Sequence, residues 1–178
     1  PQLGACCWDD GMCEVLLSNI CLDQGGSFRG ANTSCILIDC TEEYNDECID
    51  AQVVTNGAIP FSTLKATTSS DFYNDAQCSG TYLGEMFADI WFSYTATCSG
   101  ILDVNTCNAA SFDTDIVVYQ GTCSNMTQIA CNGDYEASCG GYTSQLFVDV
   151  TSGEEYLIRV GGWESGNSGT GTLIIDCQ

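Results

Sequence analysis

Apolar and polar residues alternate in two different ways along this chain. Beyond about residue 44, short apolar runs recur at strand length. In DIWFSYTAT, Ile90, Phe92, Tyr94 and Ala96 fall on one face, the period-2 pattern of a half-buried strand. Similar runs are ILDV (101–104), DIVVY (115–119), QLFVDV (145–150), EYLIRV (155–160) and GTLIID (171–176). Weaker ones sit at Val53–Val54 and Ile59–Phe61. Gly, Asn, Asp and Ser clusters separate them, so the pattern predicts an all-β fold, an antiparallel β-sandwich over residues 44–178. No long helical pattern intervenes, which argues against a parallel α/β sheet.

Residues 1–43 read differently. Cys6, Cys7, Cys13, Cys21, Cys35 and Cys40 crowd into them, a density at which covalent staples replace an apolar core. In CEVLLSNICLDQGG, residues Val15, Leu16, Asn19 and Ile20 lie near a 3.6-residue period, and Gly25–Gly26 would stop a helix there. A small disulfide-rich module of one helix and a hairpin is expected. The acidic stretch TEEYNDE (41–47) makes a junction to the sandwich.

Cysteine then fixes the setting. The chain has 14 cysteines and no histidine. No C-x2-C pair occurs, so zinc-type thiolate ligation is disfavoured and seven disulfides are expected. Local spacing suggests Cys98–Cys107, which flank SGILDVNT, and Cys123–Cys131, which flank SNMTQIA. Cys48 and Cys177 open and close the second module, which suggests a third pair, Cys48–Cys177. The chain starts at PQLGACC without an export signal, as expected of a secreted chain already processed.

The charge excludes some partners. Three Lys and Arg stand against 24 Asp and Glu, a net −21. Such a surface does not suit nucleic acid or anionic membranes. No apolar run is long enough for a transmembrane helix, so no membrane insertion is expected.

The segment from Asp89 to Ile175 carries three motifs in order: DIWFSYTATCSGILDV, FDTDIVVYQG and EYLIRVGGWESGNSGTGTLII. It resembles the bacterial pre-peptidase C-terminal domain. Upstream, GACCWDDGMCEVLLSNICLDQGG and NDECIDAQVVTNG are similar to modules found together in large, repeat-built secreted bacterial proteins. The resemblance implies a jelly-roll-like sandwich, an extracellular or cell-surface location and no catalytic residues, since the family domain is usually an appendage. One departure stands out. The family often has two Asp after the Cys-Asn of its third motif, where this chain reads Cys131–Asn132–Gly133–Asp134.

Candidate chemistry is limited. Without histidine there is no Ser-His-Asp or Cys-His arrangement, and an enzyme is not expected. Calcium is the stronger option, because hard cations want several oxygens from close loops. Asp113 and Asp115 in one loop and Asn132 and Asp134 in another supply them, provided both loops lie at one end of the sandwich. The competing reading is Asx-turn chemistry at strand ends. No organic cofactor is expected. N-x-S/T triplets at Asn32 and Asn125 are candidate glycosylation sites. Trp163, in a Gly-rich loop, is a candidate sugar-stacking platform, with a local hydrophobic lid as the alternative.

Two functions follow. The first is a non-enzymatic structural subunit or repeat of an extracellular filament, sheath or surface array, with copies of itself as partners. There the PQLGA connector and its Leu3 would mediate self-association by adding a strand to a neighbour. The alternative is a calcium-dependent carbohydrate-binding module, or an accessory domain of a secreted hydrolase, with glycans as partners.

Overall fold

The structure, a computed structural model, describes residues 2–8, 11–36, 38, 40, 45–71, 73–79, 85–135 and 139–178. Residues 41–44, most of the acidic junction read from the sequence, lie outside them. The chain divides into two compact units, Pro1–Tyr44 and Asn45–Gln178.

Unit 1 is built on β1 (Leu3–Cys7), β2 (Cys13–Leu17), a short helix α1 (Ser18–Asp23) and β3 (Ser27–Phe28). The strands form one antiparallel sheet in the order β2-β1-β3. Leu3–Ala5, the described strand part of PQLGA, is therefore not a free connector. Leu3 pairs with Leu17, its carbonyl accepts from the Asn32 amide at 2.8 Å, and β1 is the central strand. The helical reading of residues 13–24 holds only for its second half. A turn with Gly11 at φ +82° folds Cys13–Leu17 back onto β1, and this pairing overrides the local period. Gly25, at φ +77°, follows the helix and turns the chain away. Three disulfides close the unit: Cys6–Cys21, Cys7–Cys40 and Cys13–Cys35.

Unit 2 is a sandwich of two sheets. The larger has six strands in the order β4-β7-β12-β9-β10-β6. These are β4 (Gln52–Val54), β7 (Phe87–Thr95), β12 (Glu155–Gly162), β9 (Thr114–Thr122), β10 (Asn125–Asn132) and β6 (Cys78–Ser79). The smaller has the order β11-β8-β13-β5, from β11 (Gln145–Val150), β8 (Gly100–Asn105), β13 (Thr170–Cys177) and β5 (Gly57–Ser62). Pairing is antiparallel except at the two edges of the larger sheet, where β4 joins β7 and β6 joins β10 in parallel. Cys78 and Cys131 are register partners across the β6–β10 pair and are disulfide-bonded, which fixes that two-residue edge.

Between the sheets lies the main core, with Ile90, Phe92, Tyr94, Leu102, Val104, Ile116, Val118, Ile158, Val160, Leu173 and Ile175 all buried. Burial at roughly 1.5–3 kcal/mol per large apolar side chain makes this layer the principal stabiliser of the unit. The opposite face of the larger sheet is buried too. Trp91, Val117, Tyr119 and Leu157 pack there under Cys48, Tyr73 and Met86. Trp91 stacks on Tyr119 with centroids 5.5 Å apart, and the Arg159 guanidinium lies 5.2 Å from the Trp91 ring centre. Within this layer Arg159 Nε donates to Asp89 at 2.7 Å, and both side chains are buried.

All fourteen cysteines are paired, each within its own unit. The partners expected from local spacing are wrong. Cys98 bonds Cys177 rather than Cys107, and Cys107 bonds Cys139. Cys123 bonds Cys48 rather than Cys131, and Cys131 bonds Cys78. The reason is geometric. SGILDVNT contains β8 and SNMTQIA belongs to β10, so each expected pair sits at opposite ends of a single strand. At about 3.3 Å per residue, six or eight extended residues hold their ends roughly 20 Å or more apart. Cys48–Cys177 fails because Cys48 packs on the outer face of the larger sheet while Cys177 ends β13 in the smaller one.

Candidate functional site

The two oxygen-rich loops lie at the same end of the sandwich. Asp113 and Asp115 flank Thr114 at the start of β9, and Asp134 follows the end of β10. The Ser144 hydroxyl joins the loops, bonding the Thr114 carbonyl and, at 2.8 Å, the Gly133 carbonyl. Thr106, Thr114 and Ser144, all fully buried, make a hydrogen-bonded floor beneath them. In it the Thr106 and Thr114 hydroxyls are 2.6 Å apart, and the Ser144 amide donates to both at 3.2 Å. Buried polar networks satisfied in this way hold a loop in one arrangement.

Against this floor the carboxylates are under electrostatic stress. Asp115 is 1% exposed, and its Oδ2 has no hydrogen-bond partner among the described residues. Burial, then the neighbouring Asp113 and Asp134 charges, push its pKa up to about 8, with Arg159 opposing. Burial, Asp134 and Glu164 push Asp113 up to about 7. An acid in this condition either keeps its proton or takes a cation. Glu164, in the loop after β12, is a contributor that strand patterning does not single out. Its position beyond a strand that runs to this same end is the signal that finds it.

Asn132 plays a different part from the carboxylates. Its Oδ1 accepts the Gln145 amide at 3.0 Å and its Nδ2 donates to the Asp134 carbonyl at 3.1 Å, so its side chain shapes the loop. The set that the electrostatics bring together is Asp113, Asp115, Asp134 and Glu164. Elsewhere, the sulfurs of Cys7, Cys13 and Cys40 lie within 4.8 Å of one another. They belong to disulfides, and disulfide sulfur is not the thiolate a metal needs.

Trp163, next to Glu164, is half-buried. Trp91 is fully buried and unavailable to a ligand. Asn32, at φ +62° in a turn, and Asn125, at the start of β10, are both exposed. Among the described residues no helix is long and apolar enough to cross a membrane.

No curated protein matches this chain. Among solved structures it is similar to the pre-peptidase C-terminal domain of a collagenase from Bacillus anthracis. The identity is 15% and the TM-score 0.44, over 71% of this chain and 94% of that one. Residues 44–174 match a T9SS-associated family described as galactose-binding-domain-like. That association and the seven disulfides are the marks of a secreted protein. With most of its length inside the match, the chain belongs to the T9SS-associated galactose-binding-domain-like family.

Proposed function

We propose that this chain is a non-enzymatic, secreted accessory module that binds calcium at the acidic end of its sandwich and there meets glycans. The observation that carries the reading is Asp115, a buried carboxylate beside Asp113 and Asp134 whose Oδ2 lacks a hydrogen-bond partner among the described residues. A hard divalent cation satisfies that oxygen and cancels the repulsion among the carboxylates. Calcium suits the site because all the donors are carboxylate oxygens, gathered where β9 begins and β10 and β12 end. Asp113, Asp115, Asp134 and Glu164 are the residues that would hold the ion.

Glycan recognition is supported by two features. The family is described as galactose-binding-domain-like, and Trp163 shares its loop with Glu164. A sugar with neighbouring hydroxyls would complete the ion's coordination and stack on the indole. Catalysis finds little support: the chain has no histidine, and the buried Arg159 pairs with Asp89 inside a packed layer.

The test is thermal melting of the full chain in calcium and in excess chelator, with the Asp115→Asn variant beside it. At a hundred times its dissociation constant calcium should add about 2.7 kcal/mol, and D115N should lose that response. A melting temperature indifferent to calcium would leave the loops as ordinary Asx turns. Binding to a glycan panel, with and without calcium, then separates a sugar-binding module from a site that only stiffens the fold.

A second reading, a structural subunit or repeat of an extracellular filament, sheath or array, is favoured by the combination of seven disulfides with only three basic residues. Trypsin-like proteases find almost nothing to cut. Electron microscopy of native material tests it, and ordered fibres are the expected result.

A further inference from the structure

We infer that the outer face of the smaller sheet carries a second sugar site, with Phe147 as the stacking platform and Asp103 and Gln145 as readers of the hydroxyls. The site rests on the glycan reading proposed above and extends it to residues that the cation site does not use.

The two outer faces of the sandwich differ. That of the larger sheet is buried, with Trp91, Val117, Tyr119 and Leu157 packed under Cys48, Tyr73 and Met86. That of the smaller sheet is open. On β11 and β8 the inward positions Leu146, Val148, Leu102 and Val104 belong to the core, so Phe147, Asp103 and the residues two positions either side of them point outward. Phe147 is 52% exposed, and Ile101, Asp149 and Asp176 on the same face are exposed as well.

A fixed group of side chains stands on this face. Register pairs Phe147 with Asp103 and Gln145 with Asn105, which sets the Cβ atoms of each pair about 4.5–5.5 Å apart. Gln145 reaches diagonally across, and its Nε2 donates to both Asp103 carboxylate oxygens at 3.0 Å. Asn105 Nδ2 donates to Asp103 Oδ1 at 3.0 Å, while its own Oδ1 accepts the Cys107 amide at 3.3 Å. A carboxylate has about four lone-pair sites. These bonds occupy three of them, so Asp103 Oδ2 can still accept from a ligand. The Phe147 ring is braced edge-to-face by Tyr135, with centroids 6.2 Å apart. An aromatic ring and an oriented acceptor thus sit side by side on strands, where positions are held more closely than on loops.

Charge and shape select the occupant. The face shows the carboxylates of Asp103, Asp149 and Asp176, and strands β5, β8, β11 and β13 contain no lysine or arginine. Anionic ligands are repelled. A peptide strand docks by main-chain bonds at a sheet edge, whereas β8 already pairs with β11 on one side and β13 on the other. A neutral pyranose fits what remains. Its C–H face stacks on Phe147, and the hydroxyls along its rim donate to Asp103 and exchange bonds with the Gln145 amide. Apolar surface with a few placed polar groups is the usual make-up of a small-ligand site.

The experiment titrates the full chain, in excess chelator, with neutral oligosaccharides of galactose, glucose and mannose, followed by calorimetry. Polygalacturonate and an oligolysine peptide run beside them. Wild type should bind at least one neutral sugar and should not bind polygalacturonate. Phe147→Ala should weaken the sugar at least about tenfold with the melting temperature unchanged, and Phe147→Tyr should restore it. Asp103→Asn, which gives up the charged acceptor, should weaken it several-fold. Val53→Ser, at an exposed position on β4 of the other sheet, should leave it as it was. Sugar bound only when calcium is present confines recognition to the acidic end, which overturns this inference and leaves the proposed function standing. Binding in chelator that survives both Phe147→Ala and Asp103→Asn, or oligolysine bound in place of the sugars, also overturns it. No sugar bound under either condition removes the glycan reading together with this site, while the effect of calcium on melting is read separately.

Discussion

The two units solve the folding problem with different materials. In unit 2 the interior is hydrocarbon: aliphatic and aromatic side chains fill both the space between the sheets and the layer outside the larger one. In unit 1 the buried apolar residues among those described are Ala5, Cys6, Cys7, Cys21 and Cys40. Of its larger apolar side chains, Leu3, Met12, Val15, Ile20, Leu22 and Ile36 are exposed and Trp8, Leu16, Leu17 and Phe28 only half-buried. A segment this short cannot remove enough surface from water to offset its chain entropy, so sulfur takes the place of a core. The comparison teaches that disulfide density follows the scarcity of buried hydrocarbon, unit by unit, within one chain.

The largest expected effect breaks the comparison outright if it is wrong. Reduction of all the disulfides should unfold unit 1 completely, since each native bond in a small domain contributes about 2–5 kcal/mol. The amides of β7, β9 and β12 should stay protected. Hydrogen exchange read by mass spectrometry, with and without reductant, measures both at once. Protection of β1 surviving reduction would reveal a core that the burial pattern does not show.

Within unit 2, the Asp89–Arg159 pair should matter next. Arg159→Met strands a buried carboxylate and should cost about 3–5 kcal/mol in urea unfolding. Adding Asp89→Asn should recover part of that loss. Smaller differences sharpen the contrast between interiors. Ile158→Val should cost about 0.5–1.5 kcal/mol, while Val15→Ala on the exposed face of unit 1 should stay within about 0.5 kcal/mol in dilute protein.

The acidic end adds a dependence on pH. Both Asp113 and Asp115 have pKa values raised by the fold, so the fold favours their neutral forms. Without calcium, their contribution is intact below the ordinary carboxylate range. It falls away as pH climbs through that range, until both groups are ionised above about 7 to 8. Chelated protein should therefore melt at a lower temperature at pH 8.5 than at pH 6 (round values either side of those pKa values), and calcium should flatten the difference. Smallest of all, Glu164→Gln, at the exposed rim, should weaken calcium only a few-fold.

Much of unit 2 was legible in its pattern. QLFVDV is β11, and EYLIRV, DIVVY and GTLIID fall within β12, β9 and β13. Period-2 alternation works where the inward face of a strand meets hydrocarbon. It says less where both faces are covered, as at Trp91, or where a strand next to the edge is polar, as β10 is in SNMTQIA. Disulfide partners were not legible, because they join neighbours across a sheet rather than along a strand. The short β1 hid for a related reason: LGACC is held by its neighbours, not by its own residues. The loop pair at the acidic end was legible from its Asp residues, while Glu164 and the Ser144 link depend on where separate strands end.

The connectivity of unit 2 has a consequence under tension. A pull applied between residues 48 and 177 would pass through Cys48–Cys123, along the backbone back to Cys98, and out through Cys98–Cys177. Residues 49–97 and 124–176 hang off that path and bear no load. At about 3.5 Å per residue, the stretched unit could lengthen to only about 90 Å, against roughly 450 Å for the same chain without its bridges. Even if every hydrogen bond between the sheets' strands gave way, the module would stop extending at about a fifth of its contour length, a built-in end-stop for anything tethered through it.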